Sequence, residues 1–558
     1  MGNQVWLKAY TSHVPATIDP DVFASLPAFL EKYADDYFDR PAFTNFGTSI
    51  FYRELKLLAR DYAAFFQNEW KLKKGTRIAI MMPNILQYPV CIFGALKAGL
   101  IIVNVNPLYT EIELAKQLQD SGAEAIIVLE NFADHLAEAL PHTHIKHVMI
   151  TKIGDLLGNF KGALFNFAVK YVQRKIPHYK LPQAIFFKKA LSIGKKLFFS
   201  DVSFENTDTA FLQYTGGTTG RSKGAELSHR NLIANVMQCV AWIHDAKEQN
   251  HGVLIGALPL YHIFSMTVCG ICVFPMGASS VLITNPRDTN GFIKSIRHCK
   301  MTMMIGLNTL FNALLNNSNF QHVDFSALRL TISGGMAMQK AVADRWQAMT
   351  GIPIVEGYGL TESSPVITLC PIDQTCFSGS VGLPVPSTEI VIRDEDGNDL
   401  PLNERGEICA RGPQVMKGYW QQPEETKHVL DQNHWLHTGD IGYMDERGFV
   451  YIVDRKKDMV LISGFNVYPN EVEAVIASHP DVKEVAVIGL PSEKTGEALK
   501  AFVVRKNPTL TEKDLIAFCR KSLTAYKIPH MIEFRDTLPV SNVGKILRRV
   551  LRDEGSCH

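Results

Sequence analysis

The strongest constraint on the fold is the stretch Ile78–Leu96, which has no charged side chain yet is interrupted by Pro83 and Pro89. A single membrane-spanning helix fits these breaks less well than a series of shorter elements. The pattern predicts, in order, a strand, a helix and a strand at Ile78–Met82, Ile85–Ala98 and Leu100–Val105. This order is a βαβ unit, in which the two strands lie parallel in one sheet.

A second apolar stretch, Phe264–Ile283, is long enough to cross a bilayer. Pro275-Met276-Gly277 divides it, which favours a short helix followed by a strand at Ser280–Thr284. Further strands are predicted at Ala125–Leu129, His147–Thr151, Gly252–Ala257, Met303–Gly306 and Leu328–Ser333, and helices at Glu111–Gln119 and Gln339–Ala348. The alternation predicts α/β layers built on mostly parallel strands.

The chain is too long for one core, because its 558 residues exceed the roughly 250 to 300 that one hydrophobic core serves. After about Val381 the sequence changes to short strands separated by turn signals, which predicts a small β-rich subdomain. A charged cluster, Arg455-Lys456-Lys457-Asp458, then precedes a segment with its own strands and helices. We therefore predict an α/β multidomain protein with a large N-terminal domain over residues 1–454 and a small C-terminal domain over 455–558.

Charge and cysteine content exclude several classes of protein. A net charge of +1 with 20% charged residues argues against a nucleic-acid-binding surface. The ten cysteines are scattered except for Cys269-x-x-Cys272, which lies in an apolar run without a second pair or histidines at ligand spacing. We expect buried structural thiols in a cytoplasmic protein without a signal peptide.

A loop rich in glycine and threonine at residues 214–224 is the first candidate site. Glycines let the backbone approach a ligand, N–H and hydroxyl groups face phosphate oxygens, and Lys223 adds a positive charge. The loop is not a Walker A sequence, because Gly224 follows Lys223 where Ser or Thr is required, and the G-x-G-x-x-G spacing is also absent. On its own the loop fits either a phosphate cradle or a flexible surface loop.

Four other polar segments are candidates for nucleotide contact. A predicted turn at residues 356–362 is suited to stacking a purine and holding Mg²⁺ through Glu362. Asp440 is placed to accept hydrogen bonds from ribose hydroxyls, and Arg455 offers a planar guanidinium. Taken singly, Asp440 and Arg455 also fit a structural salt bridge, and Lys545, in a turn after Gly544, fits an exposed surface charge.

One segment departs from the average composition. Residues Thr151 to Ser200 include nine lysines and Arg174 but one acidic residue, Asp155, so the segment has a net charge of +9. Nine aromatic residues are interspersed. Basic and apolar faces together fit a helix lying on an anionic bilayer. A solvated basic face over an ordinary core remains the alternative.

In order and spacing, these segments resemble the adenylate-forming superfamily of acyl-CoA synthetases, peptide-synthetase adenylation domains and luciferases, over nearly the whole chain. The stretch from His434 through Lys457 resembles the fatty-acyl-CoA synthetase signature. Val5-Trp6-Leu7 and residues 464–471 are similar to bacterial long-chain fatty-acid CoA ligases. The resemblance implies an adenylate-forming fold, in which the N-terminal part has two α/β subdomains and a small β-barrel-like one, and the α+β C-terminal domain is mobile.

The resemblance implies an AMP-forming acid–thiol ligase with ATP and CoA as co-substrates and Mg²⁺ as cofactor. ATP would convert a long-chain fatty acid to an acyl adenylate, from which CoA displaces AMP. The implied catalytic residues are Lys545, Lys223 and His262, and the implied metal ligands are Thr218 and Glu362. The implied cofactor-binding residues are Tyr214, Thr215, Gly216, Gly217, Thr218, Thr219, Gly220, Lys223, Gly334, Gly335, Glu356, Gly357, Tyr358, Gly359, Thr361, Asp440, Arg455, Lys457 and Gly464.

The resemblance also implies rotation of the C-terminal domain about Lys457 between the two steps, since Lys545 would otherwise obstruct CoA. Ser463-Gly464 would then line the thiol's path, and Leu461 stands where luciferase-like members have a second-step lysine. The expected partners are a long-chain fatty acid, ATP and CoA, with homodimerisation and peripheral membrane attachment through residues 151–200 as further expectations. A ligase for medium-chain or aryl acids, a fatty-acyl-AMP ligase and a non-catalytic binding module remain alternatives.

Overall fold

The computed structural model describes residues 4–215, 222–243, 252–463, 465–492, 495–541 and 544–555. Within these ranges the strands are β1 (Pro41–Asn45), β2 (Thr48–Phe51), β3 (Arg77–Met81), β4 (Ile101–Val105), β5 (Ala125–Leu129), β6 (His147–Thr151), β7 (Ile185–Phe186), β8 (Thr209–Thr215), β9 (Lys223–Ser228), β10 (Val253–Gly256), β11 (Ser279–Leu282), β12 (Met303–Gly306), β13 (Leu330–Gly334), β14 (Ile354–Gly359), β15 (Val366–Leu369), β16 (Leu383–Pro384), β17 (Glu389–Arg393), β18 (Gly406–Arg411), β19 (Leu436–Met444), β20 (Val450–Arg455), β21 (Val460–Ile462), β22 (Phe465–Val467), β23 (Val482–Ser492), β24 (Gly496–Arg505) and β25 (Met531–Phe534).

The α-helices in the same ranges are Leu26–Asp36, Tyr52–Asn68, Gln87–Lys97, Glu111–Ser121, Ala133–Ala139, Asn159–Phe167, Phe187–Gly194, His229–Trp242, Ile263–Ser265, Thr289–Ile296, Asn308–Leu315, Lys340–Thr350, Pro423–Val429, Pro469–Ala477, Glu512–Cys519 and Arg548–Gly555. Two π-helical segments, Ala168–Val172 and Met266–Ile271, continue helices of this set. Apart from the adjacent strands β1–β2 and β8–β9, strands and helices alternate through β14, as the sequence predicts for α/β layers.

The first α/β layer is a seven-stranded sheet with the order β7-β6-β5-β3-β4-β8-β9. All its neighbouring strands are parallel except the β8–β9 hairpin. The predicted βαβ unit is confirmed: β3 and β4 pair in parallel, with Ile78 opposite Ile102, and the helix Gln87–Lys97 connects them. This helix is buried on nearly all sides because its sequence is apolar between Gln87 and Lys97.

The second α/β layer is a nine-stranded sheet with the order β16-β15-β14-β13-β12-β10-β11-β1-β2. The apolar stretch Phe264–Ile283 lies inside this layer as the π-helical segment Met266–Ile271 and strand β11. The Phe274 ring packs in the core with its centroid 5.3 Å from the Tyr52 ring and 5.1 Å from the Phe93 ring. In the part of the chain that the structure describes, no helix is long and apolar enough to span a membrane.

Two smaller sheets follow. The β-rich part predicted after Val381 is a four-stranded antiparallel sheet with the order β17-β18-β19-β20. The C-terminal part has a five-stranded sheet with the order β22-β21-β24-β23, in which β25 also pairs with β24. It encloses an apolar core of its own that includes Val487, Leu499 and Leu515. Separate cores agree with a separate C-terminal domain, and the boundary at residues 454 and 455 remains a prediction.

Candidate active site

A cleft of about 2870 Å³ lies where the two α/β layers, the four-stranded sheet and the C-terminal part meet. Every predicted site residue within the described ranges lines it: Tyr214, Thr215, Lys223, His262, Gly334, Gly335, Glu356, Gly357, Tyr358, Gly359, Thr361, Glu362, Asp440, Arg455, Lys457 and Lys545. Gly216, Gly217, Thr218, Thr219, Gly220 and Gly464 lie outside the described residues. The fold thus brings together segments that are more than 300 residues apart in sequence.

The base of the glycine-rich loop is the β8–β9 hairpin, in which Thr215 lies opposite Lys223. The Lys223 ammonium forms an ion pair with Glu425 and lies 5.2 Å from the centre of the Tyr419 ring. The Tyr419 hydroxyl donates a 2.6 Å hydrogen bond to Glu362 Oε1. A tyrosine that the sequence analysis did not identify therefore joins the predicted phosphate-binding lysine to the predicted metal ligand.

The carboxyl ends of β13 and β14 form a glycine-lined wall of the cleft. Gly335 has a φ of +78°, and a Cβ on it would lie 3.8 Å from Lys545 Nζ. A Cβ on Gly334 would lie 3.0 Å from the Phe264 ring, and one on Gly359 would lie 1.8 Å from the Pro365 carbonyl oxygen. Side chains larger than hydrogen would fill this space or displace the neighbouring backbone.

The turn predicted at residues 356–362 is wrong in its first half. Residues 356–359 continue strand β14, and a 3₁₀ turn, Thr361–Ser363, follows. The reason is backbone pairing with β15, which places Tyr358 opposite Thr368 and keeps the chain extended. Extended backbone directs Tyr358 toward β19, where its hydroxyl meets Asp440.

Asp440 is a buried carboxylate at the centre of the site. Its Oδ2 accepts a 2.7 Å hydrogen bond from the Tyr358 hydroxyl, and its Oδ1 lies 3.4 Å from Arg455 Nε on the adjacent strand. Burial raises the pKa of Asp440, and the Arg455 charge opposes this change. The structural salt bridge, which the sequence allowed as an alternative to nucleotide contact, is present. Arg455 is nevertheless half-exposed, and both side chains face the cleft.

Lys545 is directed into the cleft, so its interpretation as an exposed surface charge is wrong. Burial, assisted by the charge of Arg455, lowers the pKa of Lys545 to about 8, while Asp440 and Glu362 act in the opposite direction. Its backbone N–H donates to Ser541 Oγ at 3.0 Å, which fixes the turn that carries it. Lys545 and Arg455 thus bring two positive charges to the cleft, and the burial of Lys545 strengthens its attraction for an anion.

His262 immediately precedes the short helix Ile263–Ser265. Its Nδ1 accepts a hydrogen bond from the Phe264 N–H at 3.4 Å. Burial and the nearby Lys545 charge lower the pKa of His262 to about 3. His262 is therefore neutral near pH 7 and contributes shape and hydrogen bonding rather than charge. Glu356 is also neutral in that range, because burial raises its pKa to about 8.

Apolar side chains line one part of the cleft, called here the apolar branch. One wall is formed by the helix His229–Trp242 and the π-helical region, and the other by one face of the nine-stranded sheet. Its lining residues include Cys239, Ile243, Val268, Cys272, Met276, Leu254, Met303, Ile305, Leu330 and Ile332. The sequence did not reveal this branch, because such residues are indistinguishable from ordinary core until the fold places them on a cavity.

The described residues contain no group of three or more His, Cys, Asp or Glu side chains able to hold a metal ion. Glu362 nevertheless presents a carboxylate to the cleft beside the β8–β9 hairpin. Mg²⁺ commonly binds one or two carboxylates together with substrate phosphates and water. The donors present therefore fit a Mg²⁺ ion that arrives with nucleotide, and Thr218 lies outside the described residues.

Lys223, Asp440, Arg455 and Lys545 come from separate parts of the fold and line one cleft. This arrangement is typical of a nucleotide-dependent enzyme with a composite active site. The AMP-binding enzyme family matches residues 30–420, and the AMP-binding enzyme C-terminal domain matches residues 471–545. The chain belongs to the AMP-binding enzyme family and has the adenylate-forming fold.

Several known proteins are similar over their full length. A long-chain-fatty-acid–CoA ligase of Yersinia pestis is 53% identical over 551 residues, which are 99% of this chain and 98% of that protein. The protein of the same name from Bacillus subtilis is 38% identical over 98% of both chains. The solved structure of ATP-bound MatB from Rhodopseudomonas palustris has a TM-score of 0.81 at 29% identity, covering 95% of this chain and 98% of that one.

Proposed function

We propose that this chain is an AMP-forming ligase that converts long-chain fatty acids to acyl-CoA thioesters. In the first step a carboxylate oxygen attacks the α-phosphorus of ATP, forming the acyl adenylate and releasing pyrophosphate. In the second step the CoA thiolate attacks the acyl carbonyl and AMP leaves. The observation that carries the proposal is Lys545, directed into a cleft beside Asp440 and Glu362. Full-length similarity to ligases of that name supports it.

The first step brings a carboxylate against a polyanion, so positive charge must lie between them. Lys545 supplies that charge at the position where acid and α-phosphate meet. When bound, Mg²⁺ neutralises charge on the phosphates, and Glu362 would hold it. Lys223, at the base of the loop, would exchange Glu425 for phosphate oxygens. None of these residues forms a bond to the substrate, and their contribution is position and electrostatics.

The nucleoside would lie between the glycine wall and the Asp440 region. Gly334 and Gly335 leave a flat surface for adenine, with Glu356, Gly357, Tyr358 and Gly359 along one edge. Asp440 would accept the ribose hydroxyls, and Arg455 would remain beside it. The Tyr358 hydroxyl holds the Asp440 carboxylate in orientation through its 2.7 Å hydrogen bond.

The second step requires that CoA reach the carbon that Lys545 adjoins in the first step. We infer that the C-terminal part, with its own sheet and core, turns about Lys457 to remove Lys545 from the cleft. Lys457 is the second residue after β20 and its side chain is exposed, so backbone rotation there does not remove Lys457 itself from a packed core.

The apolar branch makes a long alkyl chain the favoured acyl group over an aryl or medium-chain acid. Incubation with ATP, CoA and palmitate, followed by nucleotide and thioester analysis, tests the assignment. AMP, pyrophosphate and palmitoyl-CoA are the expected products. Accumulation of acyl adenylate without thioester would instead identify a fatty-acyl-AMP ligase, and formation of ADP would reject adenylation.

We also propose that residues 151–200 attach the enzyme to the anionic cytoplasmic face of a membrane. Phe160, Val172 and Phe198 are 86%, 71% and 79% exposed, an unusual exposure for apolar side chains of this size. The alternative of a basic face over an ordinary core does not account for aromatic side chains projecting outward. The net charge of +9 in the same segment is complementary to anionic lipid.

Co-sedimentation with phosphatidylglycerol vesicles tests this attachment. A Phe160→Ser/Phe198→Ser variant and a Lys188/Lys189/Lys195/Lys196→Gln variant are expected to lose most of their binding. Ile112→Ser, which removes an apolar side chain that is 60% exposed and lies outside residues 151–200, is the control. Unchanged vesicle binding would refute the proposal, and a shift from dimer to monomer in sedimentation equilibrium would assign the face to homodimerisation.

A further inference from the structure

A buried ionic cluster surrounds Arg548, the first residue of the helix Arg548–Gly555. Its guanidinium forms a two-pronged contact with Glu473, at 2.8 Å from Nη2 to Oε2 and 3.2 Å from Nε to Oε1. It also donates to Asn470 Oδ1 and lies 3.5 Å from both Asp458 Oδ2 and Asp454 Oδ1. The partners of Arg548 thus come from both sides of Lys457 in the sequence.

Asp454 is the member of this cluster that belongs to the N-terminal part. It lies on β20 opposite Ile441 of β19, within the four-stranded sheet, and its side chain is fully buried. Its Oδ1 accepts the Arg455 N–H and its Oδ2 accepts the Asn470 N–H, each at 2.8 Å. Two groups of the C-terminal part, the Asn470 N–H and the Arg548 guanidinium, therefore converge on one carboxylate of the neighbouring sheet.

The cluster is joined to the active site by a short covalent path. Arg548 follows Lys545 by three residues, so fixing its guanidinium restricts the turn that presents the lysine. The approach at that turn is close, because a Cβ on Gly544 would lie 2.9 Å from Thr309 Oγ1 on the N-terminal side. A shift of the helix Arg548–Gly555 would therefore also move the turn that presents Lys545.

We propose that Asp454 is a positioning residue for adenylation, which holds Asn470 and Arg548 so that Lys545 reaches the reacting atoms. The same contacts must break when the C-terminal part turns for thioester formation, so Asp454 favours the first arrangement over the second. This inference rests on the two-step reaction proposed above. Arg405 makes a second, more exposed contact of the same kind, with its Nη1 3.2 Å from Glu471 Oε1.

Asp454→Asn tests the proposal, because asparagine keeps the shape and one acceptor oxygen but removes the second acceptor and the charge facing Arg548. Acid-dependent ATP–pyrophosphate exchange is expected to fall about tenfold, the effect of losing one charge-assisted contact. Thioester formation from supplied acyl adenylate and CoA is expected to be unchanged or faster. A purely structural role would lower both half-reactions together, and that outcome would overturn the proposal.

Asp445→Asn is the matched control. Asp445 lies in the hairpin between β19 and β20, pairs with Arg447 at 2.9 Å, and is part of the same four-stranded sheet region. Its loss is expected to leave both half-reactions at wild-type values. Arg405→Gln provides a second test should Asp454→Asn not fold, with a loss of exchange of about twofold because its ion pair is half-exposed.

A distance measurement separates this proposal from the proposed function. Spin labels at the exposed positions Asp396 and Lys513, with Cys299, Cys376 and Cys557 replaced by serine, report the orientation of the C-terminal part without substrate. Asp454→Asn is expected to broaden the distance distribution or add a second distance, whereas Asp445→Asn leaves it unchanged. An identical distribution in wild type and Asp454→Asn would overturn the positioning role. Absence of acid-dependent exchange in the wild type would overturn the function alone.

Discussion

Replacement of Lys545 by methionine separates the two half-reactions most sharply. Methionine keeps an unbranched side chain of similar reach and removes the charge together with the N–H donors of the ammonium. Burial lowers the pKa of Lys545 from 10.5 to about 8, so the ligand-free site opposes the ammonium by about 3 kcal/mol. Anionic carboxylate and phosphate at that position would offset this cost, and the neutral variant loses their attraction. We expect adenylation to fall at least about 100-fold, the factor that corresponds to about 3 kcal/mol.

The assay compares acid-dependent ATP–pyrophosphate exchange with CoA attack on supplied acyl adenylate in the same preparations. Lys545→Met is expected to lose exchange and retain most of the second step, because we infer that Lys545 leaves the cleft before CoA attacks. Lys513→Met, at an exposed position in the same small sheet's flanking helix, is the control for a charge change in the C-terminal part. Equal loss of both half-reactions, or exchange within about threefold of wild type, would refute the electrostatic role.

Four other predictions follow from the same geometry. ATP–pyrophosphate exchange should decline as pH rises through about 8, where Lys545 deprotonates. Folding stability should instead rise between about pH 8 and 10.5, because the unfolded chain still binds the proton that the folded chain has lost. A pH profile of exchange and denaturant titrations at several pH values measure the two effects. Glu425→Gln should lower the KM for ATP by up to about fivefold, since phosphates no longer compete with the half-exposed carboxylate for Lys223; an unchanged KM would show that the ion pair is irrelevant. Val268→Phe should reduce activity on C16 acids more than on C8 acids, with Val268→Leu as control, and equal losses would move the acyl chain elsewhere. Glu362→Gln should raise the Mg²⁺ concentration needed for half-maximal exchange, whereas superimposable metal titrations would remove Glu362 from the metal site.

The α/β layers were predictable because their elements have strong local patterns. Strands β5, β6 and β12 have the predicted bounds, and the apolar helix after β3 was placed to within two residues. Elements whose ends depend on pairing were predicted less well: the apolar run predicts a strand at Val485–Gly489, but β23 extends over eleven residues because it pairs with β24 along its full length. Backbone pairing also explains why the turn predicted from Glu356 begins as strand, since β15 pairs with the backbone of these residues.

The candidate site also contains some residues that the sequence predicts and others that it does not. Ordered motifs pointed to Asp440, Arg455 and Lys545, which the fold brings to one cleft. Tyr419 and Glu425 carry no motif, and their importance comes from where the chain passes Lys223. Local sequence also gives no sign of the Asp454 contact with Arg548, because it joins residues 94 positions apart through tertiary packing.

The most direct test of the proposed function is pyrophosphate exchange measured across saturated fatty acids of increasing chain length, repeated with CoA and mass-spectrometric detection of the thioester. Exchange that requires the acid, is greatest for long chains and is followed by stoichiometric acyl-CoA and AMP is the predicted result. Exchange that is greatest for aryl or short acids would contradict the acyl assignment. Tight ATP binding without exchange for any acid would contradict the adenylation chemistry itself.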